Sequence, residues 1–192
     1  TLLRTLKHTT ERAIKPLLKT ELKGRTRIFG SDLGSEFING ELQALLGPDG
    51  LGIKQQSACA DDQSQNGLAE RTIGVLFAMV RTIISDAKLP LSFWGEVLIA
   101  ANYLRNRLPT SANPNNASPY ELRYGKMPDL RILRPIGVHC TVLKHSNSVD
   151  GNKGKTRGLK GILVGYGEPF GLKGWRAYLP DKRKIVTSPN VQ

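Results

Sequence analysis

Two stretches decide how this sequence is read: Ser31-Asp32-Leu33-Gly34-Ser35-Glu36-Phe37 and Gln65-Asn66-Gly67-Leu68-Ala69-Glu70-Arg71. Each sets a carboxylate at the edge of a regular element. Residues 25–29 read as a strand that Gly30-Ser31-Asp32 ends, so Asp32 stands just past a strand. Asn66 is a good N-cap, and Ala69, Ile73, Leu76, Phe77, Val80, Ile83 and Ile84 recur at helical spacing on one face. That pattern predicts a helix from residue 66 to near 88, ended by Pro90, with Glu70 in its first turn. Read singly, each acid has an ordinary explanation. Asp32 can form an Asx turn, and Glu70 can complement the helix dipole. Read together, a strand-end and a helix-start carboxylate can converge on a divalent cation. Hard cations such as Mg²⁺ take carboxylates, waters and phosphate oxygens, and two of them would clamp the attacking and leaving oxygens of a phosphodiester.

Outward from these stretches, residues 1–22 carry leucines and other apolar residues at roughly helical spacing, with Pro16 as a kink or boundary. Residues 36–46 read as a helix that Gly47-Pro48-Asp49-Gly50 breaks, and residues 52–57 as a second strand. After Pro90 another helix runs through Phe93, Trp94, Val97, Leu98, Ala101 and Leu104. Residues 109–119 are rich in Asn, Ser and Pro and read as a connector. Ser118-Pro119-Tyr120-Glu121 opens a short helix with proline at its first position. From Ile136 the texture changes to short apolar strands at 138–143, 161–164, 174–179 and 184–187, separated by turns, as in a small antiparallel barrel. The division expected is 1–110, 111–135 as a linker with a short helix, and 136–192.

The 192 residues carry 28 Lys and Arg against 16 Asp and Glu, a net charge of +12. Residues 1–120 hold 14 basic and 11 acidic residues, and residues 121–192 hold 14 and 5, so +9 of the excess lies in the last 72 residues. A surplus of this size points to a polyanionic partner, nucleic acid before membrane, because no basic face opposes a bulky apolar one. No apolar run is long enough to span a bilayer. Cys59 and Cys140 cannot make a disulfide framework. The chain begins at Thr1 without a signal peptide and reads as a fragment.

The two acidic stretches resemble the second and third motifs of DDE integrases. Their continuation resembles the integrases of copia-type LTR retrotransposons: Leu89-Pro90-Leu91-Ser92-Phe93-Trp94, Asn102-Tyr103-Leu104-Arg105-Asn106-Arg107, Ser118-Pro119-Tyr120-Glu121, Gly125-Lys126-Met127-Pro128-Asp129-Leu130 and Gly161-Ile162-Leu163-Val164-Gly165-Tyr166. The resemblance covers residues 25–192. It implies an α/β ribonuclease H-like core, incomplete here and lacking its first strands, followed by an all-β SH3-like barrel. It further implies a three-carboxylate site in which Asp32 is the second catalytic and metal-binding residue and Glu70 the third. Asn66 would lie near the DNA and Arg71 would shape the site, while the first Asp and a zinc domain lie upstream of this chain. Mg²⁺ (or Mn²⁺) would activate water for 3′-end processing and then the DNA 3′-hydroxyl for strand transfer. The implied partners are element ends, target DNA and further copies of the enzyme, in the nucleus after a cytoplasmic particle stage.

The sequence departs from the family at three places. Thirty-seven residues separate Asp32 from Glu70, two more than is usual; Asp61-Asp62-Gln63 replaces an aromatic-Thr-Pro approach; and Ile136-Gly137-Val138 stands where Phe-Gly-Cys is typical. A non-enzymatic nucleic-acid-binding remnant is therefore the alternative reading. The DNA-binding candidates are Asn66, Lys153, Lys155, Arg157, Lys160, Lys173, Arg176, Lys182, Arg183 and Lys184, with the aromatics Trp175 and Tyr178 set among them, one of the two expected to fill the barrel. Phe93 and Trp94 read as core anchors. His139, Cys140 and His145, with Cys59, match no familiar zinc spacing and read as ordinary strand residues. Gly165-Tyr166-Gly167 lacks the Lys-Ser/Thr and the helix of a phosphate loop.

Overall fold

The computed structural model describes residues 28–31, 40–57, 67–143 and 158–192. The helix expected over 1–22 lies outside these. The chain divides into two compact units, residues 1–73 and 74–192.

In the first unit, β1 (Ile28–Ser31) pairs in parallel with β2 (Lys54–Ser57). Ile28 faces Lys54 and Ser31 faces Ser57, so both strands end at the same edge. Parallel neighbours need a crossover, and α1 (Gly40–Leu46) lies on it. Its Leu42 and Leu46 bury with Ile53, and Phe29, Leu45 and Leu51 pack around them. The turn after α1 requires glycine: a Cβ at Gly50 would strike the carbonyl oxygens of Ala44 and Leu45. The chain then returns with Ile53 N–H donating to the Leu46 carbonyl at 2.8 Å.

The long helix forms as expected, as α2 (Gly67–Asp86). Its apolar face is unevenly covered. Val80 is 3% exposed and packs with Leu89, Val97 and Ala101, whereas Phe77 is 41% and Ile73 54% exposed. Phe77 stacks on Trp94 with ring centroids 6.5 Å apart, beside an open groove of about 400 Å³ that Val80, Arg81, Ile84 and Leu91 also line.

In the second unit a 3-10 turn (Leu91–Phe93) leads into α3 (Trp94–Arg105). Phe93 and Trp94 anchor the same core as Val97 and Ala101. Ser118 caps α4 (Pro119–Tyr124): its hydroxyl accepts from the Glu121 N–H at 3.1 Å, and Gly125 at φ 66° ends the helix. Four antiparallel strands follow in sequential order, β3 (His139–Leu143), β4 (Gly158–Tyr166), β5 (Trp175–Leu179) and β6 (Lys184–Ser188). β4 is longer than expected because Leu159 pairs with Val142 and Gly158 with Leu143.

The sheet closes on itself through its tail. Gln192 and Thr141 exchange two backbone hydrogen bonds (2.6 and 3.0 Å), and Val191 bridges to Val142. Val142, Ala177, Leu179, Leu159, Val186 and Val191 fill the inside. The other face carries Ile162, Tyr178 and Arg176, which meet α3 and the turn before it. Tyr103 of α3 likewise stacks on Tyr166 of β4, ring centroids 4.6 Å apart. α3 and the barrel thus share cores.

Candidate nucleic-acid interface

Glu70 lies in the first turn of α2 with its side chain exposed, and Arg71 beside it is exposed as well. Asp32 and Asn66 lie outside the described residues. The residue before Asp32 is Ser31, the last of β1, and its hydroxyl is buried with no hydrogen-bond partner among the described residues.

Of the basic candidates, Lys153, Lys155 and Arg157 lie outside the described residues, and Lys160, Lys173, Lys182, Arg183 and Lys184 are exposed. Arg176 is not an open cation. Its side chain is only 16% exposed, its Nη2 and Nε donate to the two carboxylate oxygens of Glu96 at 2.7 and 2.8 Å, and its guanidinium covers the Phe170 ring at 3.9 Å. The sequence sets Arg176 on a DNA face; in the structure its charge is offset by both oxygens of a half-buried carboxylate, and its Nη1 donates to the Thr187 hydroxyl at 3.3 Å. The two aromatics are corrected likewise. Trp175 donates its indole N–H to the Ile132 carbonyl at 2.8 Å, and Tyr178 meets Phe93 edge-on at 4.9 Å. Both rings are partly buried and used within the fold.

The remaining cations divide by position. Ile162 of β4 faces Tyr178 of β5, and Leu179 faces Lys184 of β6. Two residues back along β4, Lys160 therefore stands at the end of the sheet where the turn with Lys182 and Arg183 projects. Lys173 precedes β5 at the opposite end.

Comparison with known proteins identifies this sheet. The family described as Retroviral polymerase SH3-like domain matches residues 140–192, from the second residue of β3 through the closing tail. Residues 140–192 are similar to that family and carry an SH3-like fold. The chain is also similar to Pol polyproteins of copia-type transposons. It is 30% identical over 176 residues, 91% of its length, to the Retrovirus-related Pol polyprotein from transposon TNT 1-94 of Nicotiana tabacum, and 31% identical over 126 residues, 66% of its length, to that from transposon RE1 of Arabidopsis thaliana. It spans 13% and 8% of the lengths of these relatives. Among solved structures it is similar to a chain of the simian T-cell lymphotropic virus intasome in complex with PP2A regulatory subunit B56 gamma: 16% identity, TM-score 0.48, 98% of this chain and 64% of that one.

The SH3-like domain also holds one end of a cluster that sequence reasoning missed. Arg107, buried at the end of the α3 segment, donates to Glu168 Oε2 at 2.8 Å and to the Tyr103 carbonyl at 3.2 Å. Its guanidinium lies 3.4 Å from the Tyr103 ring centroid and 4.8 Å from that of Tyr120. Tyr103 donates its hydroxyl to the same Glu168 oxygen at 2.7 Å. Burial, then this hydrogen bond, pushes the Tyr103 hydroxyl far above its ordinary pKa. Burial also raises Tyr166, whose hydroxyl donates to the Arg134 carbonyl at 2.8 Å. The signal was present as Asn102-Tyr103-Leu104-Arg105-Asn106-Arg107, but its acidic partner lies 61 residues on.

His139 and Cys140 sit at successive positions of β3 and so point to opposite faces. Cys140 joins the barrel core, and burial raises its thiol pKa. His145 and Cys59 lie outside the described residues. Among the described residues no group of three or more His, Cys, Asp or Glu gathers as a metal site, and no helix is long and apolar enough to cross a membrane.

Proposed function

We propose that this chain is part of a retrotransposon integrase, a polynucleotidyl transferase that processes element 3′ ends and joins them to target DNA in the nucleus. What carries the reading is the 30% identity to a copia-type Pol polyprotein across 91% of the chain, together with the SH3-like domain at its end. In it, Asp32 and Glu70 are two carboxylates of a three-carboxylate Mg²⁺ (or Mn²⁺) site, and the enzyme acts as a homo-oligomer.

The donors fit a hard cation. Glu70 offers an exposed carboxylate, and Ser31, next to Asp32, holds a buried hydroxyl oxygen without a partner among the described residues. A bound ion supplies charge neutralisation at the phosphorus and a more acidic attacking hydroxyl. The chain's own residues do the rest: Asp32 and Glu70 would hold the ion, and the basic SH3-like domain would bind DNA phosphates.

The test is strand transfer by the chain extended upstream to include the first Asp that the resemblance implies. Joined product is expected with Mg²⁺, and Asp32→Asn or Glu70→Gln should reduce it to background while helix content and DNA affinity stay unchanged. Joined product from the Glu70→Gln enzyme overturns the site. The +9 charge of residues 121–192 favours a second reading, nucleic-acid binding without catalysis. It requires salt-dependent DNA affinity and no transfer even in the extended chain.

A further inference from the structure

We infer that the SH3-like domain meets duplex DNA end-on, through a phosphate-binding rim of Lys160, Lys182, Arg183 and Lys184, and that the fold holds Arg183 in an unfavourable backbone conformation for that contact. This rests on the nucleic-acid reading above and goes beyond it by saying which end of the barrel binds and which cations take no part.

Three observations carry it. The first is segregation. The register Ile162–Tyr178 and Leu179–Lys184 sets Lys160 beside the β5–β6 turn, while Lys173 falls at the other end and Arg176 lies on the face that meets α3. The second is pairing. Three arginines elsewhere in the domain and its approach are paired with acids: Arg176 with Glu96, Arg107 with Glu168, and Arg131 with Asp129, whose carboxyl the Arg131 hydrogen bonds hold down at about 2, while Arg134 donates to the Arg131 and Leu133 carbonyls. Among the described residues none of the four rim cations forms an ion pair, and all four are exposed. Asp181 is the one acid in the turn, which leaves the rim strongly positive.

The third observation is the backbone. Arg183 sits at φ 47°, ψ 39°, in the left-handed region, with its N–H donating to the Pro180 carbonyl at 3.1 Å. That region suits glycine or asparagine and disfavours a residue with a long side chain. Turn geometry alone therefore calls for glycine here. An arginine is explained by what its side chain reaches, and strained residues gather where the surroundings use them. Among the described residues no recognition helix accompanies the rim, so its contacts go to phosphates and not to base edges.

The experiment is a salt titration of the full chain on two unrelated duplexes of equal length. Four phosphate contacts give a slope of log K against log salt of about −3.6, the same on both duplexes. Arg183→Gly should make the slope shallower by about 0.9 on both, while thermal stability is unchanged or higher, because glycine relieves the positive φ. Lys173→Ala should leave affinity and slope as they were. Binding by Arg183→Gly equal to that of the parent chain overturns the rim, and so does an equal loss from Lys173→Ala. If the parent chain shows no salt-dependent binding at all, the nucleic-acid reading falls and takes the rim with it.

Discussion

The β1–β2 pair and the barrel sheet use the same backbone hydrogen bonds with very unequal support. β1 and β2 are four residues each, paired in parallel, and the buried cluster beside them is Leu42, Leu46 and Ile53. The barrel strands are antiparallel, consecutive in sequence and closed by the tail, with apolar side chains inside and α3 against part of the outside. A two-stranded sheet is marginal by itself, and parallel strands depend on a distant crossover. Each antiparallel strand, by contrast, meets its partner a short turn away. Among the described residues, three of the four buried clusters lie in residues 74–192, and there the sheet's support is local.

The largest effect should appear in amide hydrogen exchange. Amides of β4 and β5 should exchange only on global opening of their unit, on the order of a thousandfold more slowly than those of β1 and β2. Equal protection in the two sheets would break the comparison. Next in size is the Arg176–Glu96 pair, whose side chains are 16% and 22% exposed. Arg176→Ala leaves the Glu96 carboxylate without its partner and should cost roughly 2–4 kcal/mol in denaturant unfolding of residues 74–192. The joint Glu96→Gln, Arg176→Met change should recover much of that, and a loss under about 0.5 kcal/mol for Arg176→Ala would show the pair to be incidental.

The smallest effect concerns Tyr103 and Tyr166. Both pKa values are raised in the fold, chiefly by burial, so folding favours their neutral forms. That contribution is complete below the ordinary tyrosine pKa of about 10 and is lost as pH climbs toward the folded values. Alkaline absorbance titration should show these two of the five tyrosines ionising last, together with unfolding. Early, reversible ionisation of all five would mean that the Tyr103–Arg107–Glu168 cluster opens easily.

What the sequence made legible was whatever neighbours along the chain decide. Ser118-Pro119 announced the start of α4, and its cap bond to the Glu121 N–H is the local geometry that signal stands for. The spacing of Leu76, Val80, Ile83 and Ile84 placed α2 to within two residues of its ends. Contacts across the chain were not legible. Arg176 looked like an open cation because Glu96 lies 80 residues away, and Trp175 looked like a surface ring because Ile132, its acceptor, lies 43 residues away. Strand alternation separates two faces and is silent on a helix that covers the outer one. At the site, the pattern fixed Glu70 in the first turn of α2, whereas convergence with Asp32 is a matter of tertiary approach that no local signal contains.

The pairing of Gln192 with Thr141 has a consequence for the order of events in a growing polypeptide. Synthesis delivers β3 some fifty residues before the partner that seals its outer edge. During that interval the strand's unpaired amides and carbonyls stand open to any other extended segment, until residues 190–192 withdraw them. A ribosome paused within residues 144–189 thus holds an unsealed barrel.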